Sequence, residues 1–384
     1  MIIRRSAITG SAFAAMFFLG VALAIIGAAA RNIGLSPYQI GLLIATQQLG
    51  FLLAVGVAGA LADSSDKLKM LFTGSLVLAA AFLLFYLTER FWVNLLLMFG
   101  AGVGAGIYEG VTDALLLDIQ ERHQSRYISL NHFFVTLGSG LVTLYLIFLR
   151  LHWRWSMVQS GVAVLALAVF FALAKVERPS RPVENIRRRY AGLPHKRILI
   201  LLFAATVLAV GVELGTVGYL TTFLMELRGF SQTTSKIGLV LFLAGIAGGR
   251  LSIGMLVRNH QLRQYITVLF GFSAFLFSAL YFMEMGEFTY LVIFCTGAAV
   301  SAIAPLLIAL AGLTYPEASG AVIGLIKIAI PAGGILLPLV MSILAREYSM
   351  QVSLTAFPFT AAAGLAVMLV LGVLARPAAA GKKN

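Results

Sequence analysis

Glu109 and Asp113 stand four residues apart in the stretch GAGIYEGVTDALLLD, inside an apolar run that begins at Phe91. Residues four apart share one face of a helix. Two carboxylates so close repel, and one proton held between them relieves the repulsion. The chemistry expected of the pair is uptake and release of a proton. The alternative for Asp113 is a pairing with a loop cation such as Arg126. By the helical rise of 1.5 Å per residue, Glu109 lies about 27 Å along the helix from Phe91.

Other polar residues sit in equally apolar surroundings. Glu213 falls in VGVELGTVGYL, among Gly211, Gly215 and Gly218, which let a helix bend. It is a candidate for a cavity role or for a structural hydrogen bond. Lys327 falls in GLIKIAIPAGG, just before Pro331. It suits an anionic substrate, an acid partner, or snorkelling to water. Arg250, in AGGRLSIG, reads as a structural latch at a gate. Asn131 and His132 open the next apolar run after Asp113, and the histidine suits titration near neutral pH or a bond to a loop. Tyr108 and Gln47 complete the candidate substrate or proton ligands. Each charge at the centre of a spanning helix costs about 2.5–3.5 kcal/mol. Charges kept there are expected to face a cavity or one another.

These residues need a lipid-bound frame to make sense. The chain has 384 residues, 60% hydrophobic and 11% charged, with a mean hydropathy of +0.96. A soluble domain carries roughly 25% charged residues. Apolar runs long enough to span a bilayer as helices fall at approximately 8–30, 37–61, 70–88, 91–119, 126–149, 153–175, 197–226, 233–256, 263–284, 287–313, 317–345 and 350–375. That predicts an all-α membrane protein with twelve transmembrane helices. The first run follows Arg4 and Arg5 and is read as a retained helix rather than a cleaved signal. The single cysteine, Cys295, leaves no disulfide framework and no thiol metal site.

The net charge of +13 is not spread as a nucleic-acid surface would be. Most Lys and Arg fall in loops on the side of the N-terminus, the positive-inside pattern. Both termini and the central linker are therefore expected to be cytoplasmic, in an inner (plasma) membrane. The linker, residues 176–196, is charged and proline-bearing. It separates an N-terminal half, 1–175, from a C-terminal half, 197–384. Its RRR run suits a topology anchor or a contact with anionic lipid. The halves echo each other. The stretch Ile40-Gly41-Leu42 and the stretch Ile237-Gly238-Leu239 each open a run of small residues that ends in a basic loop. Small residues let helix backbones approach closely, and repeated halves are the build of a rocking transporter.

The loop GALADSSDKLKM resembles the signature joining the second and third helices in the major facilitator superfamily. Gly59, Asp63, Lys67 and Lys69 match it, while Ser64 and Asp66 stand where arginine and glycine are usual. The resemblance implies two pseudo-symmetric six-helix halves and a cavity lined by the first, fourth, seventh and tenth helices. It makes Gly59, Asp63, Lys67, Arg126 and Arg250 the candidate conformational gate. Asp63 would accept from a neighbouring helix N-terminus or pair with Arg126. The stretch YEGVTDALLLDIQERHQSRYISLN is similar to the fucose-permease-like branch of that superfamily. Glu109 matches its fourth-helix acid and Leu130-Asn131 its Leu-Asn pair, and Asp113 stands where the branch has Asn. Glu213 with its glycines, Gly249 and Arg250 match further on. The branch implies a glutamate engaged in proton-linked sugar binding.

The expectation is a secondary transporter, not an enzyme, that moves a small-molecule substrate by alternating access. The coupling ion is a proton or sodium, and a sugar or related polar metabolite carried by symport is the first substrate reading. Export of an amphipathic drug-like or lipid-like molecule is the second. A non-transporting sensor is the third, disfavoured by the short tail RPAAAGKKN. No cofactor, metal or nucleic-acid partner is expected. Membrane lipid is a partner, and the protein is expected to act as a monomer.

Overall fold

A computed structural model describes residues 5–61, 65–120, 124–149, 152–175, 196–315 and 319–374. Within these, the side chains at 60, 124–126, 129, 149, 251, 254–256, 259 and 319–321 are not described. The chain folds into α1 (Arg5–Ile33), α2 (Pro37–Leu61), α3 (Lys67–Leu84), α4 (Phe91–Ile119), α5 (Gln124–Leu149), α6 (Trp153–Leu173) and α7 (Lys196–Leu227). There follow α8 (Gln232–Leu256), α9 (Leu262–Phe282), α10 (Phe288–Ser301), α11 (Ile303–Thr314), α12 (Ser319–Glu347), α13 (Met350–Leu354) and α14 (Ala356–Leu374). A backbone in lipid must satisfy its own hydrogen bonds, which helices do within one segment. Among the described residues, 11 stretches are long and apolar enough to cross a membrane, with α10–α11 and α13–α14 each counted as one. The 25-residue α8, which carries Lys236 and Arg250, occupies the eighth position. The protein is thus an all-α membrane protein of twelve spans.

Local chemistry sets the turns. Gly34, Gly229 and Gly286 adopt positive φ after α1, α7 and α9, a conformation glycine enters without steric cost. Tyr86 does the same at φ 52, fixed by Asn94 Oδ1, which accepts from its backbone N–H at 2.7 Å. Helix α3 starts at Lys67 rather than near residue 70, because Asp66 caps it by accepting from Leu68 and Lys69 N–H. Spans ten and twelve are broken at Ala302 and Thr355, each three residues before a proline, Pro305 and Pro358. A proline removes a helical N–H and crowds the preceding turn.

The chain divides into two compact units. The first comprises Met1–Val183 with Phe230–Val240, the second Glu184–Gly229 with Leu241–Asn384. In the first, α2 packs on α4, α1 on α5, and α3 on α4 and α6. In the second, α7 packs on α12 and α9 on α14, around a core that includes Leu202, Ile266, Phe270, Ile303 and Leu307.

The tightest crossings repeat. A Cβ on Gly50 would strike the Phe99 carbonyl of α4, and one on Gly102 the Gln47 carbonyl of α2. In the second unit, a Cβ on Gly245 would strike the Phe294 carbonyl of α10, and one on Gly297 the Phe242 carbonyl of α8. The two pairs of the first unit thus recur in the second at one constant offset along the chain, in a register two residues away from that of the Ile-Gly-Leu stretches.

Candidate functional site

In the first unit, α4 and α5 place the acids. Asp113 is held from two sides by α5. Asn131 Nδ2 donates to its Oδ1 at 2.9 Å, and His132 Nε2 lies 3.1 Å from its Oδ2. Asn131 also donates to Thr112 Oγ1 at 3.0 Å. Its own Oδ1 is buried with no hydrogen-bond partner among the described residues. Glu109, Asp113 and His132 each bring a donor atom within 4.8 Å of the others. Hydrogen bonds account for the His132–Asp113 closeness without an ion. The histidine side chain is 37% exposed and the Asp113 side chain 16%, so the cluster opens to the surface of the protein rather than lying sealed in its core. Two carboxylates and an imidazole so arranged can pass one proton among them. The structure shows Asp113 bonded to Asn131 and His132. The Arg126 side chain and Asp63 lie outside what is described.

The other sequence candidates in this unit are placed as follows. Gln47 is buried and donates to the Ala22 carbonyl at 2.7 Å. The Tyr108 hydroxyl lies 2.6 Å from Ser75 Oγ, also buried. Both side chains bind neighbouring helices. Lys67 pairs with Asp118 at 2.8 Å, which ties the start of α3 to the end of α4. A Cβ on Gly110 would come 3.1 Å from Gly59 N, so α2 and α4 stay close at that end.

In the second unit the structure joins two residues that the sequence kept apart. Arg250 Nη2 donates to Glu213 Oε1 at 2.7 Å. Its Nε donates to the Ser301 carbonyl at 3.3 Å. Ser301 is four residues before Pro305, whose missing N–H would otherwise take that carbonyl. Lys327 occupies an exposed position on α12.

Lys236 was not singled out by the sequence. It belongs to the part of α8 that clusters with the first unit. It is 2% exposed, and its Nζ donates to Asn32 Oδ1 at 2.9 Å and to the Leu146 carbonyl at 3.0 Å. Leu146 is in the last turn of α5, where carbonyls lack helical donors and the helix dipole favours a cation. Its signal in the sequence was a lysine just before the repeated Ile-Gly-Leu.

Twelve spans with repeated crossings define an integral membrane protein built from two repeated helical halves. The major facilitator superfamily model matches residues 8–292, and the chain belongs to that superfamily. It is 28% identical over 210 residues to the multidrug resistance protein MdtL of Shigella flexneri serotype 5b (strain 8401), covering 53% of each chain. The MdtL of Escherichia coli (strain K12 / DH10B) is 27% identical over the same length. The match thus spans about half the length of these curated relatives. Among solved structures, the inward-open xylose transporter XylE from E. coli aligns with a TM-score of 0.76 at 13% identity, covering 96% of this chain and 95% of that one. The nucleoside transporter NupG aligns at 0.74 and 10%, covering 96% and 98%. These likenesses establish the fold.

Proposed function

We propose that this protein is a proton-coupled transporter working by alternating access, with Glu109 as the proton carrier and Asp113, His132 and Asn131 as its partners. The observation that carries the reading is the partly exposed cluster in which two carboxylates and an imidazole meet on α4 and α5. Arg250 and Glu213 then serve as a fixed pair within the second unit. Both termini lie on the cytoplasmic side of an inner membrane, as the basic loops direct.

For the substrate, an amphipathic molecule is favoured over a sugar. A sugar site needs several amide and hydroxyl partners. Gln47, Tyr108 and Asn94 are committed to helix and turn contacts. The first unit instead offers a mainly apolar groove of about 450 Å³ lined by Phe17, Val21, Leu141, Leu144 and Phe148, with three hydroxyls, of which Tyr145 already donates to Gln159 Oε1 and Ser156 to the Trp153 carbonyl, leaving Ser160. The relationship to multidrug resistance proteins points the same way, and with it export in exchange for protons.

The test uses purified protein in liposomes under an imposed pH gradient, with lipophilic cations and sugars screened while internal pH is followed. Proton flux that depends on a lipophilic cation supports the reading, and Glu109→Gln should abolish it. Sugar-dependent flux would return the assignment to a symporter of polar metabolites. Full gradient-driven transport by Glu109→Gln would remove Glu109 from the mechanism.

A further inference from the structure

A cavity of about 250 Å³ in the second unit lies well apart from the charged pair. It is built where spans begin and end. Ile198 and Leu202 come from the start of α7, Leu310 from the last turns of α11, and Leu371 from the end of α14. Its polar wall is His260, Arg263 and Gln264, from the turn before α9 and the first turn of that helix. Span ends meet the headgroup layer of a bilayer, so the cavity sits at that depth.

The two walls differ in kind. One is aliphatic. The other holds a guanidinium, an imidazole and an amide whose side chains have no hydrogen-bond or ion-pair partner among the described residues. The residue before α9, Gln261, caps no backbone N–H with its side chain, so the positive end of the helix dipole adds to the field there. Exposed Lys196, Arg197 and Arg258 stand on the same helix ends. A ligand that satisfies both walls carries a compact anion joined to hydrocarbon.

We infer that this cavity binds the phosphate headgroup of an anionic phospholipid, with Arg263 as its main contact and His260 and Gln264 as donors. The acyl chains leave along the aliphatic wall. Basic pockets at span ends are a known means of headgroup recognition. The site stands on geometry separate from the α4–α5 cluster and holds whether or not transport is proton-coupled.

The experiment places the full chain in phosphatidylcholine vesicles with a trace of spin-labelled phosphatidylglycerol or, in parallel, spin-labelled phosphatidylcholine. The immobilised fraction reads association with the protein. Phosphatidylglycerol should be preferred, and Arg263→Gln should reduce that preference about fivefold, the equivalent of one basic residue near an anionic headgroup. Arg263→Lys should keep most of it. Leu371→Trp, which fills the cavity and leaves the basic wall intact, should likewise reduce it, and it serves if Arg263→Gln fails to fold. Equal association of the two lipids would overturn the site. So would an Arg263→Gln protein that keeps its selectivity. Displacement of the labelled phosphatidylglycerol by inorganic phosphate alone would show a free-anion site and sink the lipid assignment.

Discussion

Pro305 supplies what Arg250 uses. The proline takes away the N–H that would close a helical bond to the Ser301 carbonyl, and the Arg250 Nε fills that place at 3.3 Å while its Nη2 holds Glu213. Three helices meet at one guanidinium. Glu213→Ala leaves the cation without its carboxylate, which is the costly way to break such a pair. The double variant Glu213→Ala/Arg250→Ala should be less damaged than the single effects predict. Thermal unfolding in detergent should give a coupling energy of about 1–3 kcal/mol. Additive losses would mean that the two side chains do not act together.

Asn131 is expected to matter more than an ordinary buried amide, because one of its hydrogen bonds goes to a carboxylate. Such a bond is worth about 1.5–3 kcal/mol. Asn131→Ala should lower stability by that amount. It should also slow pH-gradient-driven transport, since Asp113 loses one of the groups that orient it. Unfolding and transport assays on the same preparation would check both.

Lys236→Met should loosen the start of α8. It removes two hydrogen bonds and leaves the end of α5 without its cation. The buried Ser235 reports on this. In a Cys295→Ser background, a cysteine at 235 should react with a soluble maleimide about tenfold faster when Lys236 is also changed, as expected for two hydrogen bonds of ordinary net strength. Unchanged labelling would show that packing alone holds the segment.

Gly102→Val and Gly297→Val should both fail to give folded protein, because in each the new side chain meets the backbone of the facing helix. Gly100→Ala is the control. Its Cβ would find Val77 Cγ1 at 3.7 Å, an ordinary contact. Yield of monodisperse protein in detergent separates the two cases.

The spans were legible because a membrane imposes length and apolarity on each one, and because the small-residue runs recur between the halves. The acids on α4 were legible for the same reason, since any charge in such a run is costly. Their partners were harder to read. Arg250 and Glu213 lie on different helices, and nothing in local spacing says that they meet. The same holds for Lys67 and Asp118, an ion pair the sequence divided between a loop motif and an unremarked acid. Gln47 and Tyr108 show the converse: a polar residue in an apolar helix serves a neighbouring backbone or hydroxyl as readily as a ligand. The two broken spans escaped because Pro331 and Pro338 lie inside an unbroken α12, so a proline alone does not announce a break.

The recurring glycine contacts carry an evolutionary reading. Gln47, Gly50, Phe99 and Gly102 map onto Phe242, Gly245, Phe294 and Gly297 with no net change of length in the intervening chain. Two copies of an ancestral segment have thus diverged in nearly every side chain while keeping their length. Natural variants of this protein should therefore vary in residue type between these positions, outside the paired residues Asp66, Lys67, Ser75 and Asn94. Changes in chain length should accumulate elsewhere, above all in the linker that joins the copies.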